Sequence, residues 1–314
     1  MTRLLSSLLK RRFSASVVQI YLLQTRFVQS HFLQTISHQI KVQLAQRKGV
    51  AIALLLLIAW TLTLLAAFSI GARHINIYSH IFLIPWLTFL YTGLFVTGHD
   101  AMHESVAPLQ PRLNQALGRL ALFLYGLISY KKLHRAHSLH HQYPASCQDP
   151  DFHNGYDTHP LWWYCRFMAR YWTIRQTLGL CLIYNGLHRV AGVPEADLLT
   201  FWAVPSLLSS AQLFYFGTYL VHRKLPDTYS TPLCSNSHYW PWLISLITCY
   251  HFGYHREHHA LPDVPWWRLP AVKLSGKHSL DQMTIANHAY TTSGSALATM
   301  SKPFVQRDRT RLKT

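Results

Sequence analysis

Charge is what this chain has least of. Only 13% of its 314 residues are Asp, Glu, Lys or Arg, about half the share usual in soluble domains. Acid is scarcer still: 12 Asp and Glu stand against 29 Lys and Arg, and none occurs before Asp100. With half of the residues hydrophobic, this shortage points to a membrane protein. A basic excess alone admits nucleic acid, anionic lipid or an acidic protein partner. Nothing in the chain resembles a nucleic-acid module, and the apolar runs select lipid. Cysteine is sparse as well. Cys147, Cys165, Cys181, Cys234 and Cys249 show no CxxC spacing, which excludes a disulfide framework or thiolate zinc site and leaves free thiols. No internal repeat is visible. Against these absences stand 21 histidines, several times the ordinary frequency.

Residues 1–48 are basic and rich in Ser and Gln, as in "LLSSLLKRRFSASVVQIYLLQ". A transit peptide, an interfacial amphipathic helix and a cytoplasmic tail all share this acid-free character. The run "VAIALLLLIAWTLTLLAAFSI", 50–70, is uncharged and long enough to cross ~30 Å of hydrocarbon. "IYSHIFLIPWLTFLYTGLFVTG", 77–98, is a second span. The stretch 117–130 reads as a short span or half a hairpin. Residues 178–193 and 198–221 form another pair, joined by the acidic turn "PEAD", and 240–250 is too short to cross alone. These runs predict an all-α integral membrane protein of about four transmembrane helices plus short or re-entrant ones. The expected organisation is a basic tail to residue 48, a membrane domain over 49–275 and a C-terminal tail over 276–314.

Lysine and arginine assign the sides. With the N-terminus inside, the second and fifth apolar runs return to the cytoplasmic face, delivering His99 and His222 there. The polar stretches 131–175, 222–239 and 251–279, which carry most of the remaining Lys and Arg, then lie inside too.

The histidines cluster at that face. "HDAMHES" places His99 and His103 four apart, one turn apart on a helix. His137, His140 and His141 form HxxHH, and His255, His258 and His259 repeat it. The i, i+3 and i+4 members share a helical face, so one short helix can offer three imidazoles to a metal site. His222 closes the fifth run. A lone histidine such as His74, His188 or His238 is ordinarily hydrogen-bonded or solvated, whereas two HxxHH clusters and an HxxxH at one membrane face predict a metal site. Imidazole ligation suits zinc, copper, iron or nickel. Nine nitrogens match two ions with four or five ligands each. Neutral imidazoles leave the metal charge uncompensated, so Asp100, Asp149, Asp151 and Glu257, which sit within the clusters, are the carboxylates expected to orient the rings.

The boxes resemble those of the membrane fatty acid desaturase and hydroxylase superfamily. More narrowly, "FLYTGLFVTGHDAMH" (89–103), "HSLHHQYPASCQDPDF" (137–152), "SSAQLFYFGTYLVHRKL" (209–225) and "TCYHFGYHREHHALPDVPWWRLP" (248–270) resemble the bacterial and cyanobacterial type of beta-carotene ketolase. The likeness covers roughly residues 50–275, and its DPDF tail and YHxEHHxxPxxPWWxLP stretch are its more specific parts. It implies a desaturase-like bundle with a cytoplasmic histidine-box cap holding two non-haem irons on His99, His103, His137, His140, His141, His222, His255, His258 and His259. His134 and His251 fall outside the ligand positions, standing behind them or facing solvent. Glu104 departs from the pattern, where relatives commonly have Gly after the first box.

The implied activity is O2-dependent oxidation of C4 of the beta-ionone ring. Two hydroxylations give a geminal diol that loses water to a ketone, taking beta-carotene to echinenone and then canthaxanthin. Carotenoid would enter from the bilayer, with Phe252, Tyr254, Trp266 and Trp267 as pocket walls. An acidic electron donor such as ferredoxin suits the basic face. The same chemistry also serves ring hydroxylases and acyl desaturases. A metal transporter would place its sites near the bilayer midplane, not at the ends of spans. A haem subunit needs paired histidines deep inside spans, and only His188 is partly placed for that.

Overall fold

The computed structural model describes residues 15–71, 77–153, 158–223 and 234–272, and every regular element among the described residues is helical. Met1–Pro270 form one compact unit and Ala271–Thr314 a second; the C-terminal tail expected from residue 276 lies outside the described residues.

Helix α1 runs unbroken from Ala15–Ile70, so the boundary expected at residue 48 falls inside a helix. The side chains that would decide between a targeting, interfacial or tail role lie outside the described residues. From Lys41 to Ile70 the helix is long and apolar enough to cross a membrane. Ala53, Leu56, Leu57, Trp60, Leu64 and Ala67 recur at three- and four-residue steps and are buried. They pack on α2 (Ile77–Met102), where the Trp60 ring meets the edge of Tyr91 at 5.4 Å. On the opposite side Leu55, Ile58, Leu62 and Leu65 are exposed. A helix apolar all round, with leucines on its outer face, has lipid as its solvent on that face.

The basic stretch of α1 just before its apolar part, Gln46 to Gly49, sits beside the turn that follows α2. Gln46 Oε1 accepts the Leu109 amide at 2.9 Å, and a Cβ on Gly49 would lie 2.2 Å from the Val106 carbonyl. Only glycine permits that approach. Helix α3 (Pro111–Gly126) is 16 residues long and ends at Leu127 in the left-handed region, so the 117–130 stretch is not one continuous helix and is not among those long and apolar enough to span. It packs tightly on α2: a Cβ on Gly118 would come within 2.5 Å of Ala101 Cβ. Asn114 Nδ2 and Tyr130 Oη both donate to the Ala101 carbonyl, at 2.6 and 2.8 Å. These bonds satisfy the last turn of α2, the turn that carries His99 and His103. Glu104 follows at φ 57° and is exposed. This is the helix-end position where glycine is most at ease, which gives the family's glycine a backbone reason.

Helix α4 (Tyr130–Gln142) is capped by Ser129 Oγ, which accepts from the Lys132 amide. α5 (Pro160–Tyr171) and α6 (Ile174–Asn185) follow, and α6 continues as a π turn over Gly186–Val190. Helix α7, Glu195–His222, contains π segments at Leu198–Ala203 and Tyr215–Tyr219. α8 (Trp242–Cys249) and α9 (His255–Ala260) are short. Among the described residues three helical stretches are long and apolar enough to span: Lys41–Ile70, His80–Met102 and Glu195–His222. The 178–193 run, expected as a span, is divided between α6 and its π turn and is not one of them.

Candidate metal centre

All nine expected histidines converge. His99, His103, His137 and His258 place ligating atoms within 4.8 Å of one another, and so do His140, His222, His255 and His259. The ninth, His141, joins the first group: its Nε2 lies 3.1 Å from that of His137 and 3.0 Å from that of His258. Within the second group His259 Nε2 lies 3.1 Å from the Nε2 atoms of both His140 and His255. The groups adjoin, with the His141 and His259 rings stacked at 4.4 Å.

Neither triplet serves one group, which corrects the reading of a helix giving three imidazoles to one site. On a helix, residues four apart differ by about 40°, and residues three apart by about 60° in the opposite sense. His140 and His141 therefore diverge by about 100°, and each HxxHH helix works as a wedge between two sites. In α4, His137 and His141 face the first group and His140 the second. In α9, His258 faces the first while His255 and His259 face the second.

The atoms fit metal ions. Two nitrogens bound at about 2.1 Å to one ion and at right angles lie about 3.0 Å apart, and the Nε2 pairs here lie at 2.8–3.1 Å. Hydrogen bonding among the rings does not account for them. His222 Nδ1 donates to the Cys234 carbonyl at 3.0 Å, which leaves an unprotonated Nε2 that is buried without a hydrogen-bond partner. His140 likewise spends its Nδ1 proton on Asp149, 3.0 Å from each carboxylate oxygen, and in its neutral form turns an Nε2 lone pair toward His259. A cation satisfies several such lone pairs at once.

Protonation states agree. Burial, reinforced by the neighbouring imidazoles, holds His137, His141, His255, His258 and His259 well below the ordinary histidine range. Burial likewise brings His103 down to about 4. All six stay neutral, the ligating form. His140 is the exception: burial lowers it, but the Asp149 carboxylate outweighs burial and holds it above the usual value. Burial raises Asp149, and the bond to His140 wins there too, holding the carboxyl low.

The remaining expected residues are distributed unevenly. Asp100 reaches His99 Nδ1 at 3.3 Å and accepts the Trp266 amide at 3.0 Å. Asp149 orients His140. Asp151 takes the Tyr171 hydroxyl, and its carboxylate lies within 4.8 Å of the His140 nitrogen. Glu257 points away from the rings; its partners are the hydroxyls of Ser237 and Tyr239. His251 is buried behind α9 against Trp242, Trp266 and Tyr254, with Nδ1 on Ser245 Oγ. His134 is exposed.

A cavity of about 470 Å³ opens on both groups, with His99 and His137 of the first and His140 and His255 of the second in its wall. Of the four aromatics expected as walls, Phe252 lines it, its ring 4.6 Å from that of His99. Tyr254 packs on Tyr239, Trp266 on Tyr250, and Trp267 on Trp266. The wall also includes Phe95, Tyr125, Phe167, Trp202 and Phe214, from α2, α3, α5 and α7, and Leu180 and Tyr184 from α6. Aromatics scattered singly over apolar helices read as ordinary core, so the sequence held no signal for them.

The family model described as "Fatty acid desaturase" matches residues 78–193 and 166–286. The chain is 43% identical over 191 residues to a beta-carotene ketolase of Paracoccus sp. (strain N81106 / MBIC 01143), covering 60% of this chain and 77% of that one. It is 40% identical over 236 residues to a beta-carotene ketolase of Paracoccus sp. (strain PC1), covering 75% and 93%. A zeaxanthin 4-ketolase of Chlamydomonas reinhardtii is 40% identical over 198 residues, 60% of this chain and 42% of that protein.

Proposed function

The chain belongs to the fatty acid desaturase family, and we propose that it is the family's carotenoid ketolase, oxidising C4 of the beta-ionone ring of beta-carotene to a ketone. One observation carries this reading: two adjoining all-imidazole groups form one wall of a largely apolar cavity with several aromatic side chains in it. Such a cavity takes a greasy ring, and the neighbouring imidazoles face the carbon presented to them.

Non-haem iron is the metal proposed for both groups, five histidines on one ion and four on the other. When bound, the pair supplies the two-electron activation of O2 needed to break an allylic C–H bond. The chain's own part is to bind, orient and exclude. Asp149 and the Cys234 carbonyl fix the tautomers of His140 and His222, so that both present Nε2 inward. Asp100 does the same for His99 with a longer bond. Phe252 lies over His99 and, with Phe95, Tyr125 and Trp202, keeps water from the ring carbon. Each oxidation consumes one O2, two electrons and two protons, places one oxygen on C4 and releases one water. After the second, the diol sheds water to give the ketone. The electrons come from a small acidic carrier of ferredoxin type, suited to the basic face.

The membrane arrangement follows the same reading. The Arg47–Lys48 stretch of α1, at the start of its apolar part, lies beside the turn after His103, and positive-inside bias supports a cytoplasmic side for the histidines. α6 with its π turn is the fourth membrane element.

Expression in a host that makes beta-carotene, with pigments resolved by chromatography, tests the proposal. Echinenone and canthaxanthin are expected. Ring hydroxylation at C3, or altered acyl chains with unchanged pigment, overturns it.

A further inference from the structure

A cavity built for a hydrocarbon ring carries one carboxylate in its wall. Asp151 lines it, next to Tyr171 and the proposed ligand His140. The carboxylate is held there deliberately by its surroundings. Its amide donates to Asp149 Oδ1 at 2.8 Å, and its carbonyl accepts Trp163 Nε1 at 2.9 Å. Arg170 fixes the preceding Pro150 carbonyl. Tyr171 Oη donates to Oδ1, which uses one of about four lone-pair directions on the carboxylate. Asp149 already serves His140 Nδ1 through both oxygens, so Asp151 is not needed to orient that ring.

Placing a carboxylate against an apolar substrate costs desolvation and gains nothing from beta-carotene itself. The gain comes once the ring has been oxidised. A hydroxyl newly placed on C4 can donate to a carboxyl oxygen of Asp151, a hydrogen bond that the unoxidised ring cannot make. A hydrophobic cavity by itself discriminates poorly between a ring and its hydroxylated form, whereas a buried hydrogen-bonding group discriminates strongly.

Resting on the ketolase reading, we propose that Asp151 and Tyr171 form a polar subsite that binds a hydroxyl on the carotenoid ring and retains the 4-hydroxy ring for its second oxidation. The subsite explains how one cavity carries out two oxidations at one carbon without releasing the alcohol. Asp151 accepts the hydroxyl proton, and Tyr171 fixes the carboxylate in place. The second oxidation draws on O2 and the same acidic one-electron carrier, and its water and protons balance as in the first. The chemistry recognised is a ring hydroxyl, which also occurs at C3 of hydroxylated carotenoids.

Asp151→Asn and Tyr171→Phe are to be compared with the unaltered chain in the beta-carotene-producing host. Both variants are expected to raise the ratio of 4-hydroxy to 4-keto pigments at least about tenfold at unchanged iron content per chain. The ratio is internal to each sample, so a poorly folded Asp151→Asn leaves it readable, and Tyr171→Phe keeps the carboxylate. In parallel, binding to the purified protein is measured by the visible absorption shift of three probes: beta-carotene, a 4-hydroxy ring carotenoid and a 3-hydroxy ring carotenoid. Weakening of the 4-hydroxy probe, alone or together with the 3-hydroxy probe, beside unchanged beta-carotene binding supports retention. Equal weakening of all three probes, loss confined to the 3-hydroxy probe, or an unchanged pigment ratio overturns it. If the unaltered chain makes no ketone at all, the ketolase reading fails first, and that outcome is distinct from an unchanged ratio beside normal ketone formation.

Discussion

All four histidines of the second group are buried, whereas His103 and His141 of the first keep part of their surface open. The second group is also held from behind by stronger hands. His140 rests on both oxygens of Asp149 at 3.0 Å, and His222 on a backbone carbonyl at 3.0 Å. The first group's described carboxylate support is the 3.3 Å contact of Asp100 with His99. A metal in the second site is thus clamped and shut in. One in the first is reached more easily from outside, past the partly exposed His103 and His141.

The sharpest way to break this contrast is to remove one ligand from each group. His258→Ala and His259→Ala are both expected to abolish ketone formation, because the chemistry needs both ions. Iron per chain should fall by one in each variant. An active His258→Ala protein removes His258 from the ligand set. Next in size is the support. Asp149→Asn should weaken metal retention by about 10–100-fold, and Asp100→Asn by less than about tenfold, since its contact is single and longer. Chelator titration of the purified protein reads both; equal effects erase the distinction drawn here.

The smallest effect is on stability without metal. Six histidines are held below their ordinary range by burial. Below about pH 6.5 the unfolded chain takes up protons that these folded imidazoles refuse, so stability is lost as pH falls toward their folded values. His140, held high by Asp149, contributes in the opposite sense, as stability lost with rising pH. Six outweigh one. The melting temperature of the metal-free protein should fall from about pH 8 to about pH 5, and a flat profile contradicts the burial argument.

The sequence announced the nine histidines because their i, i+3 and i+4 spacings and their places at the ends of apolar runs are local properties. It did not announce that each triplet splits, because that depends on how α4 and α9 are turned toward each other across more than a hundred residues. Asp149 was legible as a ring-orienting carboxylate. Glu257 looked the same in sequence, yet its helical angle aims it at Ser237 and Tyr239. Trp266 and Trp267 stood out as an aromatic pair, while the aromatics of the cavity wall are spread over five separate helices, α2, α3, α5, α6 and α7. The α6 region was legible as apolar but not as a helix that changes to a π turn at Gly186.

Metal analysis of the purified protein, supplied with iron, tests the central claim most directly. Two irons per chain are predicted, with the more labile one assigned to the group containing His103 and His141. A single ion per chain, or zinc retained in preference to iron, contradicts the account.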